Sequence, residues 1–193
     1  MRVLLVIIAG LMVTACETSS IKSGSDANPA VNIAGYRTFS WVADNPLVAV
    51  GGDTTRVNPL LQQRIQNAIL ADFTGKGYRY VDDRAAADFV VGFTVGARDK
   101  IDVRSYPTAG PTYGYYGRYR YGGWGNSYWG TQVRTDSYTE GVLAIDIFDV
   151  VSQQPAWHAW STKKIREKDR QNPGPVVIEV VTSTLASFPA RPG

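Results

Sequence analysis

The stretch SYTEGVLAIDIFDV, residues 137–150, decides the fold. Leu143, Ile145 and Ile147 alternate with Val142, Ala144, Asp146 and Phe148, and a period of two sends the two sets to opposite faces of a strand. Downstream, residues 152–155 read as a turn leading into AWHAWSTKKI (156–165), the hairpin partner. Upstream, ADFVVGFTVGAR (87–98) repeats the pattern, with Phe89, Val91, Phe93 and Val95 on one face and Val90, Gly92 and Thr94 on the other. YRYV (78–81) and YRTFSWV (36–42), where Tyr36, Thr38 and Ser40 alternate with Arg37, Phe39 and Trp41, are two shorter β-prone runs.

Two segments change the period. In NPLLQQRIQNAILADFTGKGY (58–78), Leu61, Ile65, Ile69 and Phe73 recur every four residues. Asn58 suits an N-cap, Pro59 the first helical position, and Gly75 or Gly77 the end. In GPVVIEVVTSTLASFP (174–189), Val177, Val180, Val181, Leu185 and Phe188 follow helical spacing, although the β-branched residues leave a strand as an alternative. The expectation is an α+β fold: a two-layer sandwich of a mainly antiparallel sheet of about four or five strands with two helices on one face, in the order β-α-β-β-β-β-α.

Between the two central strands lies YPTAGPTYGYYGRYRYGGWGNSYWG (106–130), with seven tyrosines, two tryptophans and seven glycines. It reads as the centre of a long loop inserted at 98–134. That insertion carries six basic residues against two acids, whereas the rest of the chain beyond residue 15 is net negative by two. Tyrosine, glycine and arginine interleaved would suit stacking on single-stranded nucleic acid in a cytoplasmic protein.

The N-terminus argues against that compartment. MRVLLVIIAGLMVTAC (1–16) has one cation, an apolar run from Val3 to Val13 and small residues before Cys16, the layout of a signal peptide too short to span a bilayer. Val13, Thr14, Ala15 and Cys16 resemble a bacterial lipobox, which implies cleavage after residue 15 and acylation of Cys16. That cysteine is the only one in 193 residues, and an unpaired exported thiol would otherwise be a liability. Glu17 follows it in place of the aspartate of inner-membrane retention, which favours the periplasmic face of the outer membrane. Residues 16–30, small and polar, are expected to be a lipidated tether, and 31–193 a single domain. With nucleic acid set aside, Tyr113, Tyr115, Tyr116, Arg118, Arg120, Trp124 and Trp129 are candidates to bind an envelope protein or glycan, to meet lipid headgroups, or to pack on their own domain as a long hairpin extension.

The inventory of reactive side chains is thin. The one histidine, His158, lies between Trp157 and Trp160, and reads as a strand residue. No phosphate-loop motif accompanies VLAIDIFD. Asp82, Asp83 and Asp88 read as a polar turn rather than calcium ligands, so no metal or other cofactor is expected. The weak catalytic alternative is Glu140 with Asp146, three same-face steps apart, as a carboxyl pair within about 5–10 Å across a cleft. Asp149 reads as the start of the turn.

Taken in order, several elements resemble the bacterial lipoproteins of the DUF4136 family, a domain of unknown function. They are Tyr36-x-Thr38-Phe39-x-Trp41, Lys76-Gly77-Tyr78, Ala87-Asp88, Glu140-Gly141-x-Leu143-x-Ile145-Asp146-x-x-Asp149, Trp157 and Phe188-Pro189. His158-Ala159 departs from the arginine-glycine expected after the tryptophan, and a second proline after Pro189 is missing. The resemblance implies a membrane-anchored envelope protein with a compact α+β domain and implies no activity. The expected function is a non-enzymatic lipoprotein that binds or organises an envelope component through the aromatic, basic loop. An envelope hydrolase and a structural subunit of an assembly are the alternatives.

Overall fold

The computed structural model describes residues 21–48, 57–108 and 130–191. The elements are β1 (Ile21–Ala27), β2 (Thr38–Trp41), α1 (Pro59–Gly75), β3 (Arg79–Tyr80), β4 (Phe89–Thr108), β5 (Gly130–Asp149), β6 (Pro155–Ile165), α2 (Glu167–Gln171) and α3 (Pro173–Leu185). The strands form one sheet in the order β1-β6-β5-β4-β2-β3. The α+β class and the two-layer arrangement agree with the sequence reading. β1, β6, β5 and β4 are joined by antiparallel pairs, whereas β2 runs parallel to both β3 and β4, so the sheet is mixed.

Local chemistry accounts for the helices. The Asn58 side chain accepts a hydrogen bond from Leu60 N, and Pro59 opens α1. Ile65, Ile69 and Phe73 bury its apolar face. After α1 the chain reverses at Gly77, whose φ of 90° is a conformation that a side chain disfavours. In α3, Val177, Val181, Thr184 and Leu185 are buried. Tertiary packing therefore overrides the modest helix propensity of its valines.

Both long helices contribute to one core. Sheet residues Phe39, Phe89, Val91, Phe93, Ile145 and Ile147 are fully buried, together with Ile69, Phe73 and Leu185 from the helices. At one end the core is aromatic. Phe73 meets Phe188 edge-on at 5.4 Å between ring centroids, Trp157 meets Phe188 at 5.1 Å, and Phe39 meets Phe73 at 5.1 Å. Such tilted and edge-to-face contacts suit the ring quadrupole and add to the burial of area.

Three expectations need correction. The sheet has six strands rather than four or five, because Ile21–Ala27 of the expected tether form β1. β1 pairs with β6 from Ile21↔Lys163 to Ala27↔Trp157, so the ordered fold begins before residue 31. Its polar sequence hides it: an edge strand joins the sheet through its backbone and requires no hydrophobic period. The insertion is also shorter than 98–134. β4 and β5 stay in register through Arg98↔Glu140 and Ile101↔Ser137 to Thr108↔Gly130. Hydrophobic alternation ends at Arg98, beyond the fully buried Phe89, Val91 and Phe93, and the pairing continues without it.

Candidate functional site

The helices cover one face of the sheet and leave the other bearing the polar groups singled out in the sequence. On β5 the open face presents Tyr138, Glu140, Val142, Ala144, Asp146 and Phe148, with Arg98 and Lys100 of β4 and His158, Trp160 and Lys164 of β6 alongside. These are the inner strands of the sheet, so lateral neighbours are fixed by register.

Glu140 is nearly buried, its side chain 9% exposed, and it is held by two cations. Arg98 Nε donates to its Oε2 at 2.7 Å and Lys100 Nζ approaches the same oxygen at 3.0 Å. The Lys100 contact holds the carboxyl below the usual glutamate range, burial opposes this, and Arg98 restores the net downward direction. Such a group stays ionised at neutral pH, contrary to what a general acid needs. One residue pair further on, Lys164 Nζ stands 4.3 Å over the centre of the Tyr138 ring.

Asp146 is engaged elsewhere. Its Oδ1 lies 2.7 Å from Nδ1 of His158, directly across the β5–β6 ladder, and Asp26 of β1 is the next residue in the same lateral row. His158 is half-exposed, in keeping with its reading as a strand residue. The expected carboxyl pair is corrected by strand geometry. Six residues separate Glu140 from Asp146, and at 3.3–3.4 Å per residue their backbones are about 20 Å apart. They share a face but neither a cleft nor a proton.

Other acids are structural. Asp149 Oδ2 accepts from the Tyr36 hydroxyl at 2.8 Å, while Oδ1 accepts from Ser152 N at 2.6 Å and Ser152 Oγ at 2.8 Å. The Ser152 backbone contact is the main cause of its lowered pKa. Burial pushes Asp88 upward, and hydrogen bonds from Arg37 N, Thr38 N and Thr38 Oγ1 more than offset that, leaving it below the usual range. Asp83 caps a 3-10 turn by accepting from Ala85 N. Among the described residues no three histidine, cysteine or acidic side chains are grouped to hold a metal ion. Among them, too, no helix is long and apolar enough to cross a membrane.

The candidate residues Tyr113, Tyr115, Tyr116, Arg118, Arg120, Trp124 and Trp129 lie outside the described residues, as do Val13, Thr14, Ala15 and Cys16. Described strand ends do fix where the tract joins the fold. β6 pairs with β5 only as far as Thr139↔Ile165, so beyond it β4 and β5 continue as a two-stranded arm to Thr108 and Gly130. A cleft between α1 and α3 was not legible in the sequence, because its lining is split among six elements.

A mixed sheet with two helices on one face and a long central hairpin defines the class of domain. The chain belongs to the DUF4136 family, a domain of unknown function, whose family model matches residues 23–190. No curated protein sequence matches it closely enough to count as a relative. Among solved structures it is similar to a DUF4136 family protein from Bacteroides thetaiotaomicron, with 12% identity and a TM-score of 0.51 over 86% of this chain and 94% of the other. A PelC dodecamer from Paraburkholderia phytofirmans has 14% identity and a TM-score of 0.48 over 90% of this chain and 100% of the other. At such identities the likeness concerns the fold alone.

Proposed function

We propose that this protein is a non-enzymatic lipoprotein, anchored through acylated Cys16 at the periplasmic face of the outer membrane, that holds an envelope protein or glycan with its aromatic tract. The observation supporting this reading is the arm. Nine residue pairs, from Lys100↔Tyr138 to Thr108↔Gly130, extend beyond the last strand that pairs with them. At about 3.3 Å per residue the ribbon is roughly 25 Å long. A ribbon of that length, joined by 21 residues rich in tyrosine, tryptophan and arginine, suits a partner larger than a small molecule, since those side chains are the usual anchors of interfaces. The partners that occupy Glu140 and Asp146, two cations on the one and the His158 ring on the other, speak against the hydrolase alternative built on them.

The test is crosslinking in intact cells, comparing the full chain with one lacking residues 106–130. A specific protein or glycan adduct that disappears with the tract is the expected result. Adducts that persist unchanged would sink the binding role. The anchor is tested separately: Cys16→Ser is expected to abolish acyl labelling and release the protein from membranes, and continued labelling refutes it.

A further inference from the structure

Toward the root of the arm, side chains on the covered face become smaller along β4, β5, α1 and α3, while β6 ends there in Lys163 and Ile165. β4 passes from Phe89 and Phe93 to Val95 and Ala97, β5 from Ile147 to Leu143 and Gly141, α1 from Phe73 to Leu61, and α3 from Leu185 to Val177. The layers therefore separate, leaving a half-open cleft of about 710 Å³ between the N-terminal halves of α1 and α3. Leu61, Ile65, Val95, Leu143, Val177 and Val181 line it. This volume lies within the range of pockets for small ligands, roughly 300–1,000 Å³.

Its charge is one-sided. Arg64, Lys163 and Arg170 line the cleft with a single acid, Asp169, which accepts a hydrogen bond from Arg166 N. Lys163 Nζ is 3.0 Å from Glu179 Oε2, and Arg170 is 3.9 Å from Glu167 while donating to Thr139 Oγ1 at 3.2 Å. Arg64 is exposed and has no hydrogen-bond or ion-pair partner among the described residues. The N-termini of both long helices, at Pro59 and Pro173, face the same end and add partial positive charge. An apolar trough with one unanswered cation at its rim complements an apolar chain ending in one negative charge.

We propose that this cleft binds a single-chain anionic lipid, a fatty acid, with its acyl chain along Val95, Leu143 and Val177 and its carboxylate at Arg64. The site is separate from the arm and from the polar contacts of the open face. It does not depend on acylation of Cys16. Ile21, the first residue of β1, pairs with Lys163 of the cleft wall, so the N-terminal segment enters the fold beside the site. The chain's own acyl group is therefore the competing occupant that the experiment must remove.

The experiment uses the chain from residue 16 onward, which holds every element of the fold, with Cys16→Ser to exclude that acyl group. Palmitate, below its micelle concentration, and uncharged hexadecanol are titrated by calorimetry. Saturable one-to-one binding of palmitate is expected, with hexadecanol weaker. Arg64→Glu, on an exposed helix position, should weaken palmitate by roughly tenfold or more, the size of one partly screened charge contact, and leave hexadecanol unchanged. Val95→Trp should abolish binding of both. If that variant does not fold, Ala97→Phe fills the floor from a more exposed position. Absence of saturable binding, or palmitate affinity unchanged by Arg64→Glu or by filling of the cleft, overturns the proposal.

Discussion

At the scale of single residues, the positions that carry the family resemblance are tied to one another across long stretches of chain. Tyr36 bonds to Asp149, Thr38 to Asp88, and the Tyr78 hydroxyl donates to Pro189 O at 3.0 Å. They hold the aromatic end of the core closed, which is why they read as a motif without any catalytic pattern. A pH dependence follows. Asp88, Glu140 and Asp149 all have folded-state pKa values below their ordinary values of 3.8 for aspartate and 4.5 for glutamate. The folded chain then binds fewer protons than the unfolded one in acid, so their stabilisation is present above those values and is lost as pH falls through the depressed ones. Denaturant midpoints should be level above about pH 6 and decline below about pH 5. Asp149→Asn should cost about 1–3 kcal/mol at neutral pH and make the acid decline shallower; an unchanged decline means that Asp149 is not coupled to folding. Gly77→Ala should cost about 1–2 kcal/mol, because φ is 90° there. A melting temperature equal to the parent's contradicts that.

At the scale of elements, legibility depended on whether packing or backbone pairing makes the element. α1 was readable because its cap, its proline and its four-residue spacing agree, and β4 and β5 were readable up to Arg98 and from Glu140 because one face of each is buried there. β1 and the outer halves of β4 and β5 were not, since their pairing leaves no hydrophobic signature. The polarity of Glu140 and Asp146 was also visible. Their spacing was visible too, and three same-face steps of a strand amount to about 20 Å, which already excluded the expected carboxyl pair. These two kinds of strand should differ in dynamics. An isolated two-stranded ribbon is marginal in water, so amides from Ile101 to Thr108 should exchange with solvent at least about a hundredfold faster than those from Phe89 to Val95. Hydrogen exchange read by mass spectrometry checks this. Comparable protection along all of β4 means that the arm is packed against something, which favours the self-packing alternative for the tract.

At the scale of the whole molecule the two ends differ in kind. One end is the closed aromatic core of Phe39, Phe73, Phe89, Trp157 and Phe188. At the other lie the root of the arm, the start of β1, the N-termini of α1 and α3 and the cleft. The fully buried sheet residues extend along β4 only to Phe93 and along β5 only back to Ile145, so the folding free energy is concentrated at the closed end. The arm should then be dispensable for folding. Replacing residues 102–136 by Asn-Gly joins Ile101 to Ser137, which already face each other in register, through a turn that matches strand twist. The expected melting temperature is within about 4 °C of the parent, corresponding to less than about 1 kcal/mol in a chain of this size. The cleft lies below the cut, so palmitate affinity should be unchanged while tract-dependent crosslinks vanish. A fall of more than roughly 10 °C would make the arm part of the folding unit, and the aromatic tract would then be understood first as packing for its own domain rather than as a surface held out to another.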